Sequence, residues 1–201
     1  LRIGASVNIG TYYMPRLIRE FQDRYPGIKV QVKINTTAVV EKELLDGKLD
    51  LALVGGTIQS EHIVAEPLFY EKYTAICAPE HPMAGKTVLL EEFMKEPLLF
   101  REKSSGAYEV FQSAVNQTGL TVTPVWESTS QTTLMEAVHY GLGVTILPEQ
   151  MIKREIREGR LAQITFSDFS FQNTIHIAYH HSKYLSPSIK NFILLVKTLD
   201  F

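Results

Sequence analysis

Cysteine is almost absent from this 201-residue chain: Cys77 is the only one. No internal disulfide can form, which excludes a disulfide-stapled secreted scaffold and points to a cytoplasmic setting. Cys77 lies in the apolar run Tyr73-Thr-Ala-Ile-Cys-Ala78, where it reads as a small buried hydrophobe, not a reactive thiol. No apolar run reaches the roughly 18 residues that a membrane span needs, and no charged-then-apolar leader opens the chain. Neither charge sign dominates, since 20 basic and 22 acidic side chains leave a formal net charge of −2. Without a basic stripe to neutralise phosphates, a free-standing nucleic-acid binder is excluded. An initiator Met is also missing, and residue 1 already has strand character, so a fragment or a processed chain is expected.

The motifs of common chemistries are missing as well. There is no His-Glu-x-x-His, and one Cys cannot build a zinc knuckle. Six histidines are present, His62, His81, His139, His176, His180 and His181. The adjacent His180 and His181, on or just after a strand, are expected to point to opposite faces. No Gly-x-Ser-x-Gly elbow, Walker loop or Gly-x-Gly-x-x-Gly fingerprint occurs. The pair Glu91-Glu92 sits in a polar stretch and is simply solvated. Nothing assembles a nucleophile, a base and an orienter, so no catalytic residue, metal or cofactor is expected, and the chain is not expected to be an enzyme.

What is present is the grammar of an α/β protein. The composition is 45% hydrophobic and 21% charged, ordinary for a globular chain. A chain of this length buries roughly 70% of its unfolded surface. Residues 1–5 read as a strand and Ser6-Val-Asn-Ile-Gly-Thr11 as a polar turn. Met14, Leu17, Ile18, Phe21 and Tyr25 then fall on one helix face, stopped by Pro26-Gly27. Ile28, Val30, Val32 and Ile34 alternate as a strand ending in Asn35-Thr36-Thr37, a second helix follows, and Leu51-Ala-Leu-Val54 has the continuous apolar character of a strand covered on both faces. The order repeats later: strands over 97–100, 122–127 and 144–147, helices over 108–117, after Ser128-Thr-Ser130, and from Pro148 to Gly159. Gly141-Leu-Gly143 reads as a helix C-cap. A strand over 174–179 and an amphipathic helix bearing Ile189, Phe192, Ile193, Val196 and Leu199 close the chain.

The economical arrangement has two Rossmann-like lobes, with the last helix returning to the first. The expected division is 1–74 plus 178–201 against 75–177, with two crossing strands joining the lobes and a cleft at the carboxyl ends of the parallel strands.

Four times a strand ends in small hydroxyl, amide or glycine residues that open a helix. These are Ser6, Val7, Asn8 and Thr11; Asn35 and Thr36; Arg101, Ser104, Ser105 and Gly106; and Ser128 and Thr129. Helix N-termini carry unpaired N–H groups and positive partial charge, so they attract oxyanions. Each hydroxyl either caps its own helix or is offered to a ligand. Arg101 either forks onto a ligand oxyanion or makes a surface salt bridge with Glu102 or Glu109.

Specific strings carry a resemblance. Leu1-Arg-Ile-Gly-Ala-Ser6, Met14-Pro-Arg-Leu-Ile-Arg-Glu-Phe21 and Tyr25-Pro-Gly27 resemble the start of the effector-binding domain of LysR-type transcriptional regulators. So do Leu44-Leu-Asp-Gly-Lys-Leu-Asp-Leu-Ala-Leu53, Ala78-Pro-Glu-His-Pro82 and Glu136-Ala-Val-His-Tyr-Gly-Leu-Gly-Val-Thr-Ile-Leu-Pro148, in order along the whole chain. The resemblance implies a type 2 periplasmic-binding-protein fold with a small anionic or amino-acid-like effector between the lobes. It also implies a homodimer, tetrameric in the full-length protein, and a winged helix-turn-helix domain before residue 1 through which DNA is bound. Contact with RNA polymerase follows from the same resemblance, and no membrane partner does.

The loops look most like the branch linked to sulfur and cysteine metabolism. Where that branch often has Gly-Ser-Gly-Thr-Arg, this chain reads Ser104-Ser-Gly-Ala-Tyr108. Family pairing would bring a first-lobe patch around Leu17, Glu20, Arg24, Lys29, Gln31 and Lys33 against a second-lobe patch around Glu136, His139 and Tyr140. A periplasmic solute-binding protein and a prephenate dehydratase-like enzyme are the rival functions.

Overall fold

Contacts within the computed structural model, which describes residues 1–199, divide the chain into two units. One comprises Leu1–Tyr70 with residues 174–199, the other Glu71–Asn173. In the first, β1 (Arg2–Ser6) buries Ile3 and Ala5 completely. Instead of the expected polar turn, Val7–Tyr12 coil into a short helix, α1. Gly10 is the weakest helix former there, and packing demands it: a Cβ at Gly10 would stand 2.6 Å from the Ile34 side chain. α2 (Met14–Arg24) carries Pro15 in its first turn, where the missing N–H breaks no helix bond. Leu17 shares the buried face of α2 with Met14 and Phe21 and is 1% exposed, so it belongs to the core and not to an outer patch.

β2 (Gln31–Asn35) is an edge strand with all five residues exposed. The alternating pattern does not bury one face of it. Ile28 and Val30 pack on the core before the strand begins, while Val32 and Ile34 stay 38% and 48% exposed. α3 (Thr37–Leu45) leads to β3 (Leu51–Gly55), buried along its whole length. β1 lies between β2 and β3 and is parallel to both.

β4 (Ile63–Cys77) carries the chain into the second unit. There follow β5 (Thr87–Val88), α4 (Leu90–Phe93), β6 (Leu99–Arg101), α5 (Gly106–Asn116), β7 (Trp126–Ser128), α6 (Gln131–His139), β8 (Thr145–Pro148), α7 (Glu149–Arg157) and β9 (Ala162–Phe166). β4 is antiparallel to β8 and β9, β9 is parallel to β5, and β6 is parallel to β7. Leu99 N–H to Val144 O and Val144 N–H to Pro97 O, both 2.9 Å, join β6 to the start of β8. Side chains alternate between two cores. Phe100, Val144 and Ile146 pack around Phe93 and Phe111, while Leu99, Leu147 and Ile76 pack with residues of α6 and α7. This two-sided burial is what the short continuous apolar runs imply.

The strand expected over 122–127 shrinks to β7, with Val122 a buried anchor and Val125 70% exposed. β5 and α4, two and four residues long, are too short to show a period. Gly141-Leu-Gly143 does cap α6. Gly141 takes φ +72° and donates to Val138 O, and Leu142 donates to Ala137 O, the paired bonds of a Schellman ending.

β10 (Gln172–His180) returns to the first unit, antiparallel to β3, so its sheet runs β2-β1-β3-β10. α8 (Pro187–Thr198) is capped by Ser186 and sets Phe192 edge-on against Phe21, with ring centroids 5.2 Å apart. Because β10 ends at His180 and the chain turns, the His180 and His181 rings stack at 4.7 Å instead of pointing to opposite faces. No helix among the described residues is long and apolar enough to cross a membrane.

Candidate functional site

In the first unit, β1 and β2 end side by side, with Ser6 opposite Asn35 in register. Each end opens a helix: Ser6 is the N-cap of α1 and Thr36 that of α3. Both residues are extended, yet neither side chain bonds to its own helix. The Ser6 hydroxyl accepts instead from Gly55 N–H at 3.4 Å, and Thr37 donates to Gly55 O at 2.8 Å, stitching the end of β3 to the other two strand ends. Asn35 Oδ1 accepts from Thr36 N–H at 2.9 Å. Val7 is half-buried at the first turn of α1 and Asn8 is buried. Thr11 sits one turn further along, exposed, with its hydroxyl donated to Val7 O at 2.8 Å, so it is not at the helix start.

The second unit repeats the construction. β6 and β7 end together with Arg101 opposite Ser128, and Glu102 N–H reaches Ser128 O at 3.3 Å. Ser105 N–H donates to Glu102 O at 2.9 Å, closing the turn that contains Ser104 and leads to Gly106 at the start of α5. Ser105, the N-cap of α5, is buried, and its side chain makes no cap bond. At the neighbouring end Ser130 does cap α6, accepting from Thr133 N–H at 3.2 Å. Ser128 Oγ accepts from Ser130 N–H at 3.0 Å, and Thr129 is exposed between them.

Arg101 is 6% exposed and forks onto Glu102, Nε to Oε2 at 2.8 Å and Nη2 to Oε1 at 3.0 Å. Of the two carboxylates the sequence offered as salt-bridge partners, Glu102 takes the role, and the bridge is partly buried. Nearby in the same unit, burial raises the Tyr73 hydroxyl pKa, and the charge of Glu71 adds to the rise. A hydrogen bond with Asn173 and the charge of Arg101 oppose it. Nothing in the local sequence marks Glu71, Tyr73 or Asn173, because strand residues far apart in the chain bring them together.

Such rims of N–H and hydroxyl groups can hold an oxyanion. Among the described residues no group of three or more His, Cys, Asp or Glu is placed to hold a metal ion. The sequence profile of the LysR substrate binding domain matches residues 1–199. The HTH-type transcriptional regulator CysL of Bacillus subtilis is 29% identical over 203 residues, covering 98% of this chain and 67% of that protein. The regulatory domain of CcmR from Synechocystis PCC6803, solved with 2-PG, has the same fold at TM-score 0.88 and 23% identity, covering 98% of this chain and 95% of that one. The effector binding domain of QuiR with shikimate superposes at TM-score 0.86 and 18% identity, covering 98% and 94%. The chain spans about two thirds of the length of the curated relatives it matches.

Proposed function

The chain belongs to the LysR substrate-binding domain family, and from that premise we propose that its strand-end rims bind a small anionic or amino-acid-like effector. The observation that carries this reading is the unused capping capacity of Ser6, Thr36 and Ser105. All three occupy N-cap positions in the strand-to-helix connections, and none makes a side-chain cap bond, whereas Ser130 does. Thr36 and Ser105 are the strongest candidates to contact the ligand, with backbone N–H groups of α3 and α5 beside them. Ser6, Val7, Asn8, Asn35, Ser104, Gly106, Ser128 and Thr129 complete the rims. Arg101 would meet an anion only in exchange for Glu102. The ligands in the CcmR and QuiR structures, 2-PG and shikimate, support a small-molecule effector.

In the full-length protein this domain would act as the effector-sensing and oligomerising part of a cytoplasmic bacterial transcriptional regulator. DNA would be bound through a winged helix-turn-helix domain outside this chain. The regulator identity of relatives such as CysL supports this reading over a transport protein or a dehydratase. Pairing of two copies belongs to the same proposal, and exposed apolar surface supports it. On the first unit Val32 and Ile34 border a groove of about 320 Å³ with Ile18 and Pro15. On the second, Val125, Tyr140 and Leu142 are 70%, 76% and 50% exposed.

Thermal-shift titration with phosphate, sulfate and small carboxylates tests the effector reading. An anion at about 100 times its dissociation constant should stabilise by roughly 2.7 kcal/mol. Thr36→Val and Ser105→Ala should each weaken its binding by roughly 1–3 kcal/mol. Affinity unchanged in both variants, or no response to any anion, refutes the proposal.

A further inference from the structure

In the second unit the ladder between β4 and β9 is short. β4 pairs with β8 from Tyr73 to Ile76, but with β9 only from Ala75 to Cys77. Beyond Ile164, β9 leaves β4 and pairs through Thr165 and Phe166 with β5. The backbone of β4 before Ala75 therefore has no β9 ladder beside it, and Tyr73 N–H reaches across to Phe171 O at 3.4 Å.

Beside the end of this ladder lies a pocket of about 590 Å³, open to solvent and lined by residues of the second unit alone. That volume lies within the roughly 300–1,000 Å³ of small-molecule sites. Its wall is apolar on two sides: Phe169 and Phe171 from the segment after β9, and Ile152 and Ile156 from α7. Its polar lining includes Lys72 and Lys153. Lys153 meets Glu149 at 3.4 Å, with both side chains largely in water, while Lys72 makes no ion pair among the described residues. Two ammonium groups against one carboxylate leave a surplus positive charge beside an aromatic and aliphatic wall.

We propose that this cavity is a second small-molecule site, taking an amphipathic organic monoanion such as an aromatic carboxylate. The apolar body would lie against Phe169 and Ile156, both half-buried, which gain by shedding water. The anionic head would be held by Lys72 and Lys153, whose flexible stems let the ammonium groups close on it. The strand-end rims differ in kind: they offer backbone N–H and hydroxyl groups. The proposal does not depend on the effector reading.

Isothermal titration with 2-naphthoate tests it on this chain. One saturable site is expected, with 2-naphthalenemethanol, which lacks the charge, binding about tenfold more weakly. Lys72→Glu with Lys153→Glu should raise the dissociation constant of 2-naphthoate by about tenfold or more. Both are exposed positions, so circular dichroism should be unchanged. Gln163→Trp, which places a large ring in the cavity from an exposed strand position, should abolish binding. Thr36→Val with Ser105→Ala should leave it intact, which separates this site from the rims. Affinity within twofold of the parent in either cavity variant, or lost in the rim variant, overturns the proposal.

Discussion

Asp50 accepts hydrogen bonds from Arg2 N–H at 2.7 Å, Arg2 Nη2 at 2.8 Å and Lys183 Nζ at 2.6 Å. Burial pushes its carboxyl up, but these donors outweigh burial and hold it well below the usual carboxylate range. A lowered folded pKa means the stabilisation is complete above the ordinary value of 3.8 and is lost as pH falls through the folded value. Asp50→Asn should therefore destabilise by roughly 1.5–3 kcal/mol at neutral pH. In urea titrations the gap to the parent should close only in strong acid. Equal stability at pH 7 would remove Asp50 from the account of what ties β1 to the turn after β10. Cys77 is inert for a related reason: burial, then the charge of Glu96, pushes its thiol up to about 11. The folded chain should resist iodoacetamide at pH 8, and rapid alkylation would contradict this burial.

Helix α6 and helix α5 begin alike in sequence and differently in space. Ser130 closes the first turn of α6, so Ser130→Ala should cost about 0.5–2 kcal/mol of stability. The Ser105 side chain makes no cap bond on α5, so Ser105→Ala should leave the melting temperature nearly unchanged while weakening binding of the proposed effector. A loss of stability in Ser105→Ala equal to that in Ser130→Ala would return Ser105 to a structural role. β2 shows the same gap between pattern and environment. It alternates as a half-buried strand should, yet it lies at the sheet edge and none of its residues is buried.

For the molecule as a whole, the exposed apolar residues make the oligomer testable. Val125→Asp and Val32→Lys change side chains 70% and 38% exposed, so neither should unfold its unit. Each should shift sedimentation of this chain toward monomer across a concentration series. A parent already monomeric at high concentration would leave pairing to parts of the protein beyond this chain. The charged residues expected in the pairing patch are partly engaged within the chain: Glu20 bonds Arg16 at 2.9 Å and Lys33 bonds Glu43 at 2.8 Å. Surface ion pairs of this kind contribute at most about 1 kcal/mol, so in the proposed pairing the apolar residues would carry more of the energy.

Sequence alone determined most of the alternation of strands and helices, the two-sided burial of β3, the helix C-cap at Gly141 and the positions of the strand-end loops. Each of these rests on interactions within a few residues, and local periodicity and turn chemistry encode such interactions directly. The tertiary structure alone decided that the Ser6 hydroxyl is spent on Gly55 at the end of β3, that Glu71, Tyr73 and Asn173 come together, and that Val7–Tyr12 is helical over Ile34. It also decided that the ladder of β9 on β4 stops at Ala75, beside a pocket lined from positions 72 to 172. Those outcomes turn on register between strands distant in the chain. A side chain's partner is chosen by which neighbour the sheet brings alongside, and no local pattern carries that choice.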